Sequence, residues 1–218
     1  MIEFVLFDLD GTLTDPFEGI TSSVLYALSK YDIHCTQEQL KCFIGPPLEN
    51  SFIEFFGFTP KRAKEAVVYY RERFSTTGIY ENSVYPGIED MLSSLESKKI
   101  TSVIATSKPE VFARRILEHF SLTRYFNNVT GSELDGRRTD KTEVISEALR
   151  RIGGSDHKAQ RCIMVGDRIH DIVGAKKNSL RSVFVKYGYA PPGEAENSRA
   201  DYIVNDVASL SNLLQSLL

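Results

Sequence analysis

The sequence predicts a doubly wound α/β fold, a parallel sheet flanked by helices, with an inserted helical domain. Three observations point to it. The chain opens on an almost unbroken apolar run over residues 2–7 that stops abruptly at Asp8, the pattern of a strand buried on both faces. Further short apolar runs alternate with helical stripes along most of the chain, as βαβ units require. One long stretch, residues 17–80, breaks the alternation and holds helical patterns without a strand.

Strands are expected at residues 3–8, 101–106, 127–130, 162–167, 182–185 and 202–204. Between them, Ile88, Met91, Leu92 and Leu95 share one helical face, as do Val111, Ile116, Leu117 and Phe120, and Val144, Ile145, Ala148 and Leu149. In the helical stretch, Ile20, Val24, Leu25 and Leu28 form a stripe. Thr36 and Gln39 have the spacing of a capping box that opens a second helix. Gly45-Pro46-Pro47 breaks the chain before Leu48–Phe56, and Pro60 opens a long helix to about Thr76. Roughly sixty residues of helix are too many for a loop. The expected organisation is therefore residues 1–15 as core with the first strand, 16–82 as a helical cap, and 83–218 as the remainder of the core.

The chain has 218 residues, 42% of them hydrophobic, and a net charge of −3, which suits a globular domain with a smaller insertion. The basic pairs Lys98-Lys99, Arg114-Arg115, Arg150-Arg151 and Lys176-Lys177 fall on separate expected helices. Scattered charge of this kind forms solvated faces, so no nucleic-acid polymer is expected as a partner. Cys35, Cys42 and Cys162 are too few, and odd in number, for a disulfide framework, and no Cys/His cluster has zinc spacing. No apolar run approaches the ~18–20 residues of a membrane span. The N-terminus enters a core strand directly, without a charged leader, and the expected location is cytoplasmic. These features leave monomer and dimer both open.

The chemistry-bearing residues begin where the first strand ends, at Asp8-Leu9-Asp10-Gly11-Thr12. Alternate side chains of a strand share a face, so Asp8 and Asp10 point the same way if the extended geometry persists. Two carboxylates at the carboxyl end of a central strand lie where open α/β sheets bind ligands. Packing does not need that pair, and like charges so close cost energy unless a cation or a proton lies between them.

This stretch resembles motif I of the haloacid dehalogenase-like hydrolases, Asp-x-Asp-Gly-Thr. Three further motifs follow in the family's order: Ala105-Thr106-Ser107-Lys108-Pro109, then Lys141, then Gly166-Asp167-Arg168-Ile169-His170-Asp171. The resemblance covers most of the chain. It implies a Rossmann-like core with a cap that closes over the active site, and phosphoryl transfer through an aspartyl-phosphate. On that basis Asp8 is the nucleophile and Asp10 the general acid/base. Lys141 offsets the charge of Asp8 and the phosphate. Asp8, the Asp10 backbone carbonyl and Asp167 hold Mg²⁺, a hard cation suited to oxygen ligands.

Asp171 lies one helical turn beyond Asp167 and is assigned to the outer metal shell or to orienting Lys141. Thr106 and Ser107, expected at a strand end with Pro109 opening the next helix, are the candidate phosphate binders. The bland alternatives are a helix N-cap for Thr106, Ser107 or Asp167 and a solvated lysine for Lys141, with Arg137 and Arg138 as rivals. Thr12 is a weaker candidate beside motif I. His170 reads as a polar residue beside the site, and Gly174 and Ala175 as close helix–sheet packing positions.

Asp10 separates the branches of the family, because dehalogenases lack a second Asp there. The phosphonate-cleaving branch needs a cap lysine, and nothing distinguishes Lys30, Lys41, Lys61 or Lys64. Thr106-Ser107-Lys108-Pro109, Gly131-Ser132-Glu133-Leu134-Asp135-Gly136 and the final motif look like the phosphoglycolate phosphatase-like and 5′-nucleotidase-like branch. The resemblance thus implies a Mg²⁺-dependent phosphatase for a small phosphorylated metabolite, phosphoglycolate-like or a nucleoside monophosphate. The alternatives are a sugar-phosphate mutase of the same superfamily and a non-catalytic binding protein on this fold. Gly45, in the stiff turn of the cap, is the candidate for substrate selection.

Overall fold

The first strand seeds the sheet. In the computed structural model, which describes residues 1–153 and 159–218, β1 (Phe4–Phe7) has three of its four residues buried. Two short strands, β2 (Thr14–Asp15) and β3 (Ser83–Val84), pair in a sheet of their own. The main sheet joins β1 to β4 (Thr101–Pro109), β5 (Phe126–Ser132), β6 (Cys162–Gly166), β7 (Arg181–Val185) and β8 (Tyr202–Val204). Its order is β5-β4-β1-β6-β7-β8, and every neighbouring pair is parallel. From β1 the chain builds outward through β4 and β5, then returns to β6 on the other side of β1. The order therefore reverses between β1 and β6, and such a switch point opens a crevice at the carboxyl ends of the strands.

Among the described residues, the core carries the helices α4 (Ile88–Ser97), α5 (Glu110–His119), α6 (Lys141–Arg151), α7 (Ile169–Lys177), the short α8 (Glu194–Asn197) and α9 (Val207–Ser216). Leu6, Val103, Cys162 and Met164 meet Val144, Ile145 and Ala148 of α6 and Ala175 of α7 in one apolar cluster. These strands carry apolar side chains on both faces, as a sheet covered by helices on both sides requires. Val111 departs from the expected helical face. It is 45% exposed, and Phe112 and Ala113 are buried in its place. Gly174 also departs from expectation: a Cβ there would meet Ile145 and Lys141, so it serves the contact of α7 with α6 and not with the sheet.

The chain divides into two compact units, one of Met1–Thr14 with Val84–Leu218 and one of Asp15–Ser83. The second unit consists of α1 (Phe17–Ser29), α2 (Leu48–Phe56), α3 (Pro60–Phe74) and two 3₁₀ segments. Phe43, Phe52 and Phe58 lie at its centre, with Phe43 and Phe52 edge to face at 5.0 Å. The expected second helix is a 3₁₀ segment, Gln37–Phe43. Gln39 does bond back to the Thr36 N–H at 2.9 Å, but Pro46 and Pro47 end the run before an α-helix can propagate. Among the described residues no helix is long and apolar enough to cross a membrane.

The sheet–α6 cluster should dominate the stability of the first unit. Met164→Ala, at a fully buried strand position, should cost about 2–5 kcal/mol. Val111→Ala should stay within about 0.5 kcal/mol. Urea denaturation of the two variants compares them directly, and equal losses would contradict this placement of the core.

Candidate active site

β1 and β6 run side by side with Phe7 opposite Val165, so the residues that follow them, Asp8 and Asp167, emerge together at the switch point. The Asp8 N–H still bonds to the Val165 carbonyl at 2.9 Å, which ties the end of β1 to β6. Asp171 stands in the first turn of α7. Its Oδ2 accepts the Arg168 N–H at 3.1 Å, turning the carboxylate back toward the strand ends. Asp8, Asp167 and Asp171 are all buried, and each offers an oxygen within 4.8 Å of the others'.

Lys141, the first residue of α6, reaches into this group. Asp140 caps the helix by accepting the Thr142 N–H at 2.7 Å, which aims the lysine inward. Its Nζ lies 2.8 Å from Asp8 Oδ1 and 2.7 Å from Asp171 Oδ1, and it donates to the Ala105 carbonyl at 3.1 Å. A cation in the first turn of a helix opposes the helix dipole, and these carboxylates outweigh that. Burial would pull the Lys141 ammonium down, but Asp171 and Asp8 hold it above the ordinary lysine value. Burial lifts Asp171 to about 6, with Lys141 pulling against the rise and Asp8 adding to it. Asp167 is pushed well above the usual carboxylate range by burial and by Asp171 and Asp8.

Asp10 does not join the cluster through its side chain. Its Oδ2 accepts from Lys108 Nζ at 2.6 Å, a buried ion pair across 98 residues of sequence. Burial raises the Asp10 carboxyl, Lys108 opposes the rise, and Asp8 adds to it. Thr106 is buried, and its Oγ1 accepts the Lys108 N–H at 3.2 Å. Ser107 is half-buried, and its carbonyl accepts from Ser132 Oγ at 2.7 Å. The expected helix start at Pro109 is displaced: β4 continues to Pro109 with a register irregularity after Ala105, and α5 begins at Glu110. Thr106 and Ser107 thus sit on an irregular strand end, where the sequence puts them, and Pro109 precedes α5 as its cap residue. Arg137 and Arg138 turn to Glu133 instead of the carboxylate cluster, and His170 is exposed. Gly45 belongs to the second unit, in a turn with φ of +105°.

The sequence alone assigns no role to Lys108, although Lys108 lies within Ala105-Thr106-Ser107-Lys108-Pro109. A lysine beside the candidate phosphate binders Thr106 and Ser107 is a usable signal, but its partner cannot be read from spacing. Thr12 and the segment Tyr187–Tyr189 also support the site. Asp167 Oδ1 faces Thr12 Oγ1 at 3.4 Å, and Oδ2 accepts the Tyr189 N–H at 2.8 Å. Tyr187 donates its hydroxyl proton to the Thr12 carbonyl at 2.8 Å. A Cβ on Gly11 would come within 2.3 Å of Asp167 Oδ2, and one on Gly188 within 2.4 Å of the same oxygen. Only glycine permits that approach.

The residues fit a hard divalent cation. When all three are ionised, Asp8, Asp167 and Asp171 leave an excess of two negative charges over the ammonium of Lys141, which pairs with Asp8 and Asp171, while Asp10 and Lys108 pair with each other. The contacts of Lys141 with Asp8 Oδ1 and Asp171 Oδ1 are ionic, and both oxygens lack a hydrogen bond of good geometry, as does Asp10 Oδ1. An all-oxygen donor set with unfilled capacity suits Mg²⁺.

A model of haloacid dehalogenase-like hydrolases matches residues 5–185. A 5′-nucleotidase from Pseudomonas aeruginosa is 46% identical over 97% of this chain and 95% of its own length. A tyrosine-protein kinase, PtkA, from Mycobacterium tuberculosis is 35% identical over 99% of this chain and 72% of its own. The crystal structure of a predicted phosphatase from Clostridium acetobutylicum superimposes with a TM-score of 0.95, at 46% identity and 99% coverage of both chains.

The carboxyl values set a pH-dependent response to metal. Asp171 and Asp167 stand higher in the folded protein than unfolded. Their contribution is most favourable below the unfolded value and is lost as pH rises through the folded one, for Asp171 between about pH 4 and pH 6. A cation that needs the ionised carboxylates should restore that loss. Mg²⁺ should therefore raise the melting temperature more at about pH 7.5 than at about pH 5. No shift, or the same shift at both, would remove this cluster as the cation's site.

Proposed function

The chain belongs to the haloacid dehalogenase-like hydrolases, and on that premise we propose that it is a Mg²⁺-dependent phosphatase of small phosphomonoesters working through an aspartyl-phosphate on Asp8. That it is a phosphatase follows from its relatives. The observation that supports the mechanism is the separation of two neighbouring carboxylates onto different cations, Asp8 onto Lys141 and Asp10 onto Lys108. Two carboxyl groups in different environments can take different chemical roles.

In the first half-reaction a carboxylate oxygen of Asp8 attacks phosphorus. The bond from phosphorus to the ester oxygen breaks, its electron pair goes to that oxygen, and a proton from Asp10 neutralises it. In the second half, water attacks the phosphoryl group and gives its proton to Asp10. The bond from phosphorus to Asp8 breaks, and Asp8 regains its carboxylate. Lys141 offsets the negative charge of Asp8 and the phosphoryl oxygens. Thr106 and Ser107 are proposed to hold the phosphate. Asp8, Asp167 and the Asp10 backbone carbonyl would hold Mg²⁺, with Asp171 outside them. When bound, the ion supplies a Lewis acid that draws charge from the phosphoryl oxygens.

The 46% identical 5′-nucleotidase favours nucleoside monophosphates over phosphoglycolate as substrates. Substrate choice is proposed to lie in the turn at Gly45. The φ of +105° there lies beyond the left-handed region that even asparagine tolerates, so every side chain strains the backbone and Gly45→Ala, the smallest change, is the cleaner probe. It should change kcat/KM for the preferred metabolite more than for a small generic ester.

Phosphate release over a panel of phosphorylated metabolites tests the activity. Excess chelator should abolish turnover and Mg²⁺ should return it; full turnover in chelator would contradict the metal assignment. Asp8→Asn should fall to background while the fold survives. Asp10→Asn should lose about 10²–10⁴-fold on esters with poor leaving groups and much less on p-nitrophenyl phosphate, whose leaving group needs no proton.

A further inference from the structure

Lys108 is the one ammonium besides Lys141 that reaches a motif I carboxylate among the described residues, and the proposed bond-making and bond-breaking steps leave it without a part. Its side chain is 5% exposed and lies against an Asp10 carboxylate that is 11% exposed. A buried ion pair is weak evidence for stability, because desolvation consumes most of its Coulombic gain. The approach to Asp10 is built in two steps. After Ala105 the register of β4 slips, and the Lys108 N–H then bonds to Thr106 Oγ1. The backbone of Lys108 is thereby held at the end of the strand next to β1, and its side chain meets Asp10 Oδ2 at 2.6 Å. The other oxygen, Asp10 Oδ1, is buried without a hydrogen-bond partner.

An ammonium only donates hydrogen bonds, so the oxygen it holds is committed as an acceptor. Any proton that Asp10 carries to or from a substrate belongs on the other oxygen. We propose that Lys108 is a positioning residue for the acid/base step: by anchoring Asp10 Oδ2 it presents Oδ1 to the leaving-group oxygen and then to the attacking water. This rests on the phosphatase reading, with Asp10 as acid/base. The proton moves between Asp10 Oδ1 and the departing or entering oxygen, and Lys108 keeps its own protons throughout.

The test is a double-mutant cycle with Lys108→Met, Asp10→Asn and the pair, assayed with Mg²⁺ on p-nitrophenyl phosphate and on an alkyl phosphate such as a nucleoside 5′-monophosphate. Lys108→Met should lower kcat for the alkyl ester about 10- to 100-fold and for p-nitrophenyl phosphate less than about threefold, with KM little changed for either. In the Asp10→Asn background it should cost nothing further, because residues that act as a unit are not additive. Lys108→Arg, which keeps a cationic donor, should recover part of the loss. Three results would each overturn the proposal: equal loss on both esters, a rise in KM with kcat unchanged, or a full additional loss in the Asp10→Asn background. If Asp10→Asn itself fails to discriminate between the esters, the acid/base reading of Asp10 has failed, and the cycle shows that separately. Circular dichroism melts check each fold; should Lys108→Met be unfolded at the assay temperature, Lys108→Gln is scored by the same comparisons.

Discussion

The arrangement depends on charge balance at the carboxyl end of the sheet. Asp8, Asp167 and Asp171 are buried within a few ångströms of one another, where ionised carboxylates are costly unless partnered. Lys141 answers one of the three charges, and its position is set from three directions, by Asp8, Asp171 and the Ala105 carbonyl. The surrounding elements converge on that requirement: β1 and β6 end in carboxylates, α6 starts with the lysine, and α7 starts with Asp171. With all three ionised, the remaining excess of two negative charges is what a divalent cation would offset.

Such a site needs a rigid support. The apolar strands and the faces of α6 and α7 that pack on them hold the strand ends in register, while the glycines at 11 and 188 let two loops close onto Asp167. The parallel topology places all of this at one edge. Because the strand order reverses between β1 and β6, the loops after those strands diverge and leave room for a ligand.

Asp8 and Asp10 show how two like residues two positions apart acquire different surroundings. One faces a lysine delivered by a helix N-terminus, the other a lysine delivered by an irregular strand end. Their separation is produced by which neighbouring element supplies the cation, and not by any difference in the residues themselves.

Much of this was legible in the chain. Strand positions follow from apolar runs, because a strand buried on both faces must be apolar throughout, and most helices follow from 3.6-residue spacing. Local periodicity is less decisive where a proline pair truncates a helix, as at Gln37–Phe43, or where an exposed residue continues a stripe, as at Val111. The resemblance of the motifs that carry Asp8, Asp10, Lys141, Asp167 and Asp171 to those of the family marks them as a set. The partners were decided in three dimensions. Asp10 meets Lys108 across 98 residues, Asp167 is held by Tyr189 and Thr12, and Asp171 stands in the carboxylate group that Asp10 leaves. Sequence order lists which charges exist; which of them face one another depends on strand order and register, and those are set only when the sheet assembles.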